Sequence, residues 1–130
     1  MKCPDCGGQT VPFPVPEASR SLVPGQESGA ALCRHCLSLH PAEDPPAEPP
    51  AFRRVSPAFP SESDAAVPMA LVVGLLANLA LYRSEISDLL ERVERAGTDP
   101  LLVLDRLARD PDLEPAVDLT GRRRQLEQLL

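Results

Sequence analysis

Cys3-Pro4-Asp5-Cys6-Gly7-Gly8 and Cys33-Arg34-His35-Cys36, with 26 residues between the two pairs, decide the fold of this chain. Each CxxC stretch can close a tight turn, or knuckle, whose two sulfurs point inward and whose backbone N–H groups support thiolate charge. Gly7 and Gly8 supply the unusual backbone angles such a turn needs. Two knuckles separated by a hairpin-sized gap can surround one ion tetrahedrally, so Cys3, Cys6, Cys33 and Cys36 are the expected ligands of a structural Zn2+. All four positions of such an ion are filled by protein. No place is left for a water or a substrate, so the sequence assigns no catalytic residue and no other cofactor site, and the chain is not expected to be an enzyme.

The residues between the knuckles suit a small β ribbon over 1–40. Val11, Phe13 and Val15 alternate with Pro12, Pro14 and Pro16, which gives one apolar face and removes the N–H donors along one edge. Such a strand pairs on one side only and belongs at the border of a sheet. Ser21 to Gly29 reads as a loop turned at Pro24-Gly25, and Ala31, Leu32, Leu37 and Leu39 place short strands on either side of the second knuckle. So small an apolar core predicts that metal binding and folding of this module are one event.

Beyond the ribbon, residues 41–64 hold seven prolines in 24 positions, with two arginines against five acids. That composition predicts an extended, semi-rigid linker. Phe52 and Phe59 are two of only three phenylalanines, and at least one is expected to tuck against a folded module. From 65 to 130 the chain is apolar and helix-prone, giving an α+β chain that ends in an all-α helical hairpin or three-helix unit. Ser63 and Asp64 open a long helix over about 66–96, ended by Gly97. Within it Leu75, Leu79, Tyr82, Ile86, Leu89 and Val93 follow a heptad spacing and predict the seam of a homodimer. Thr98, Asp99 and Pro100 start a second helix over about 100–109. A third is expected over about 115–129, with Leu119, Leu126, Leu129 and Leu130 on its apolar side.

Charge narrows the possible partners only a little. The chain has 19 acids against 13 bases, and Lys2 is its one lysine. Lys2, Arg20 and Arg34 balance Asp5, Glu17 and Glu27 across the ribbon, which lacks the clustered cations and exposed aromatics of a nucleic-acid surface. Residues 65–82 carry no charge and approach the length of a membrane span. Pro68, Gly74 and Asn78, and the continuation of the apolar stripe to Val93, favour a buried bundle helix over a membrane helix. Because Cys3 and Cys6 arrive at once, no secretory segment is expected, and unpaired thiols suit a reducing cytoplasm.

Histidines and serines add no second chemistry. His35 is expected to face solvent and His40 to begin the linker, because four cysteines already complete an ion's shell. A hydrolase on Ser63 or Ser84 would lack a base, since no histidine lies in the C-terminal half. Arg122, Arg123 and Arg124 could grip a phosphate, but pairing with Glu127 and neighbouring acids on a solvated helix face is the simpler expectation.

The CPDCGG and CRHC knuckles make residues 1–40 similar to zinc-ribbon domains. With the AVPMALVVGLL, YRSEI and DPLLVLDRLA stretches, the whole chain resembles a family of small uncharacterised zinc-ribbon proteins from halophilic archaea. The resemblance implies the fold, zinc and a cytoplasmic setting, and brings no activity. The acidic, lysine-poor composition fits that source, and a GC-rich genome would produce it equally. Rubredoxins share paired knuckles but carry the CPxCG form at the second one and an aromatic core around iron. Here the second knuckle is CRHC and Phe13 is the one aromatic between them. The leading expectation is a non-enzymatic adaptor, its zinc ribbon displayed on the linker to an unknown protein partner. A nucleic-acid-binding ribbon helped by Arg53, Arg54 and the Arg122, Arg123, Arg124 run is the alternative, followed by a rubredoxin-like iron protein.

Overall fold

The computed structural model describes residues 1–129; Leu130, expected on the apolar side of the last helix, lies outside them. Three antiparallel strands form one sheet in the order β1 (Thr10–Pro14), β2 (Gly29–Cys33) and β3 (Leu39–Ala42). The prolines dictate this order: Pro12 and Pro14 lie on β1 opposite Ala31 and Gly29, and Pro41 on β3 opposite Ala30. The strands lacking donors therefore occupy the two edges, and β2, with no proline and every residue buried, is central. Between β1 and β2 the expected loop winds into short 3₁₀ turns over Glu17–Leu22 and Pro24–Gln26, with Gly25 at φ 75°. β3 carries the ribbon through Ala42, past the boundary drawn at residue 40.

The helical region differs from the expected long helix over 66–96. α1 (Ser63–Leu75) ends in a 3₁₀ turn over Leu76–Asn78, and α2 (Arg83–Arg95) follows after the chain has turned back to pack on α1. The Asn78 carbonyl accepts the N–H groups of Leu81 and Tyr82, which holds the turn. The physical reason is burial within one chain. A straight helix would leave Ile86, Leu89 and Val93 in water, whereas folding back buries all three, together with Leu75 and Leu79, and leaves Tyr82 half-buried. The proposed dimer seam is thus consumed inside the chain's own core. α1 itself is buried on nearly every side, which accounts for its unbroken apolar sequence.

α3 (Pro100–Arg109) starts at Asp99, whose carboxylate accepts the N–H groups of Leu101 and Leu102. α4 covers Leu119–Glu127, later than the expected start near 115. Residues 113–117 are used differently: the Glu114 and Ala116 N–H groups donate to the carbonyls of His35 and Cys36 at 2.8 and 3.0 Å. Backbone donors spent on the second knuckle are not free to begin a helix.

The proline-rich segment is no spacer. Phe52 and Phe59 are both buried, with Phe52 edge-on to Phe13 of β1 at 5.1 Å between ring centres and 5.9 Å from Phe59. Val55 and Ser56 are buried beside them, and the Ser56 hydroxyl donates to Asp110 at 2.6 Å. Sheet, connecting segment and helices therefore share one apolar core. Where β3 crosses α1 the backbones meet at Gly74: a Cβ there would lie 2.4 Å from Leu39 Cβ. Gly74→Ala is expected to lower the denaturant midpoint, by about 1–3 kcal/mol of stability, even though alanine is the better helix former. An unchanged or raised midpoint at constant m would show that this contact is not tight.

Candidate metal centre

Both knuckles are closed by a backbone hydrogen bond from the first cysteine, Cys3 N–H to Gly8 O and Cys33 N–H to Ser38 O, and by a left-handed residue after the second cysteine. In the first, the Cys3 N–H donates to Gly8 O at 2.7 Å and the Gly7 N–H to Cys3 O at 2.8 Å, with Gly7 at φ 78°. In the second, Leu37 takes the place that Gly7 holds after its own CxxC, and it too is left-handed, at φ 64°. A leucine in that region is strained, and its side chain, 4% exposed, gains core packing in return. The Arg34 N–H donates to Gln9 O at 2.8 Å and ties the knuckles together. Gly8 is the point of closest approach, since a Cβ there would meet His35 Cβ at 3.0 Å and the sulfurs of Cys6 and Cys33 at 3.3 Å.

The four thiols converge, their sulfurs all within 4.8 Å of one another. Cys3 and Cys36 are 3.7 Å apart, and Cys6 and Cys33 are 3.5 Å apart. A tetrahedral ion with metal–sulfur bonds of about 2.3 Å needs sulfur–sulfur edges of about 3.8 Å, so the cluster fits a four-thiolate metal ion. The cysteines are free of disulfides, and Cys3, Cys33 and Cys36 are buried while Cys6 is at the surface. Backbone N–H groups already face the sulfurs: Gly8 donates to Cys6 at 3.4 Å, and His35 and Cys36 donate to Cys33 at 3.3 and 3.4 Å. Such donors stabilise thiolate charge around a metal.

A polar group missed by the sequence reading backs this cluster. Ser38 Oγ lies 3.2 Å from Cys3 Sγ and 3.0 Å from Cys36 Sγ. His40 Nε2 lies 2.9 Å from that hydroxyl, 3.4 Å from Cys3 Sγ and 3.6 Å from an Asp5 carboxylate oxygen. His40 is therefore a strand residue against the metal centre, not the first residue of a linker. The signal was the spacing of Ser38 and His40 on either side of Leu39, which places two polar side chains on one face as β3 begins. His35, by contrast, is 44% exposed in its side chain and faces Glu114 at 3.9 Å. In the arginine run, Arg123 pairs with Asp105 at 2.5 Å and with Glu127, while Arg122 donates to Leu76 O at 2.9 Å.

These surroundings set the protons on the thiols. Burial pushes Cys3 up, but hydrogen bonds from Ser38, the backbone of Asp5 and Cys6, and His40 outweigh it and lower its pKa to about 5. Burial raises Cys33 and Cys36 above the ordinary thiol value. Cys6 is also raised: the Gly8 N–H lowers it, and burial with the neighbouring Cys36 and Cys3 thiols prevails. Metal binds thiolate, so acid must weaken it, about tenfold per pH unit for each proton displaced. At pH 7 Cys6, Cys33 and Cys36 are protonated without metal, and Cys3 joins them once its supporting network is lost. Metal binding coupled to folding is therefore expected to release about four protons, measurable by calorimetry in buffers of different ionisation heat. Release of about three would mean that the metal-free cluster stays assembled.

Among the described residues, no helix is long and apolar enough to cross a membrane. No curated protein and no solved structure matches the chain. A family model does match, over residues 2–130 and so across both the metal centre and the helices that brace it: the chain belongs to the family of unknown function DUF6276.

Proposed function

We propose that Cys3, Cys6, Cys33 and Cys36 hold one structural zinc ion, and that the chain works as a non-enzymatic interaction protein in a reducing compartment. One observation supports the reading: four protein sulfurs converge within 4.8 Å, a spacing one tetrahedral ion fits, and a shell made up of four thiolates would leave no position for a substrate. Zinc is preferred to iron because Phe13, Phe52 and Phe59 form their cluster in the shared core rather than as an aromatic shell around the sulfurs. Since sheet and helices share one core, a partner would meet a rigid composite surface and not a ribbon swinging on a tether.

Cobalt substitution tests the closed site. The Co2+-loaded chain is expected to show a tetrahedral thiolate spectrum unmoved by added azide or thiocyanate; a spectrum that shifts with these anions would reveal an open, reactive position. For the interaction role, wild type and Cys33→Ser are compared as bait. A partner captured stoichiometrically by the wild type alone is expected, and metal-dependent turnover of a substrate would contradict the reading.

A further inference from the structure

Three arginines line one groove beside the second knuckle. Arg34, Arg53 and Arg54 line an open groove of about 450 Å³ together with His35, Asp110 and Asp112. Among the described residues none of the three arginines is ion-paired, a state they share with every other arginine except Arg95 and Arg123, and what sets them apart is that they line one groove. Carboxylates are not scarce in a chain with 19 acids and 13 bases. Two acids share the groove: Asp110 accepts the Ser56 hydroxyl at 2.6 Å and the Asp112 N–H at 2.9 Å, and with Asp112 counted the three cations exceed the two carboxylates by one charge.

The cations are presented from fixed backbone. Arg34 is held in the knuckle by its N–H bond to Gln9 O at 2.8 Å. Arg53 and Arg54 end a 3₁₀ turn anchored by buried Phe52, with the Arg54 N–H on Ala51 O at 3.0 Å. Fixed presentation reduces the ordering cost of capturing a ligand. The guanidinium fork matches phosphate oxygens two at a time, which gives geometric preference as well as charge.

A long polyanion fits less well. Phe13, Phe52 and Phe59 are buried and Tyr82 is outside the groove, so among the described residues the His35 imidazole is the one aromatic ring on it, fewer than the successive stacking platforms a single strand uses. The formal net charge of -6 also repels a nucleic acid at long range. We propose that this groove binds a compact phosphate-bearing ligand through Arg34, Arg53 and Arg54. The site is independent of which metal the cysteines hold, and it goes beyond the interaction role above.

The test is calorimetric titration of the metal-loaded full chain at low ionic strength with inorganic phosphate, phenyl phosphate and a single-stranded oligonucleotide. Saturable binding of one small probe per chain is expected, weakened about tenfold or more by Arg53→Ala or Arg54→Ala and unchanged by Arg95→Ala. Preference for phenyl phosphate would identify an esterified ligand, and preference for inorganic phosphate the free ion. Circular dichroism and metal content confirm that each variant is folded. The proposal is overturned if neither small probe saturates by on the order of 10 mM. It is equally overturned if the arginine variants bind as wild type does, or if the oligonucleotide alone binds and tightens with length, which would assign the groove to a polyanion.

Discussion

Stripping the metal from the reduced chain is expected to abolish cooperative folding of the whole molecule, helices included. The ribbon cannot be lost alone, because its buried face is part of the core that α1 and the Phe52–Phe59 segment complete. The His35 and Cys36 carbonyls also hold residues 114 and 116, so a collapsed knuckle releases the approach to α4. Magnitudes favour the same result. Structural zinc contributes about 10–16 kcal/mol in small sites, which equals or exceeds the roughly 5–15 kcal/mol by which a domain is stable. Cys33→Ser, at a position with 0% exposure, should act like the chelator. Scanning calorimetry and limited proteolysis read this directly; a protease-resistant helical fragment with its own transition would show that the core is divisible.

Phe52→Ala is the second large effect. The ring is 2% exposed and bridges Phe13 of the sheet and Phe59 at the approach to α1. Truncation removes its transfer energy and leaves a cavity between the two halves, a loss of about 3–5 kcal/mol. Phe52→Leu should recover most of it. Chemical denaturation of the metal-loaded protein checks the order; a loss under about 1 kcal/mol for Phe52→Ala would mean that ribbon and helices do not rely on this junction.

The sequence announced what is local and concealed what is not. Paired CxxC turns are specified within four residues each, and the edge position of β1 follows from missing N–H groups at Pro12 and Pro14, whereas Pro41, expected in the linker, turned out to mark the other edge. The metal cluster and the three-stranded sheet were legible for that reason. A heptad spacing reports only that one stripe is apolar, and cannot say whether the cover is a second chain or the same chain folded back. The break at Leu76–Asn78 was therefore hidden, and the stripe from Leu75 to Val93 read as a dimer seam when it faces the chain's own core. Proline content likewise predicted an extended spacer over 41–64, while the two phenylalanines in it carried the stronger message of burial. The late start of α4 depends on carbonyls almost eighty residues away in sequence, at His35 and Cys36, and no local pattern encodes that.

Elemental analysis with a thiol count, on the protein purified under reducing conditions, tests the central claim most directly. One zinc per chain, with four thiols unreactive until a chelator is added, is the predicted result. Iron in the site, or no metal and oxidised cysteines, would contradict it.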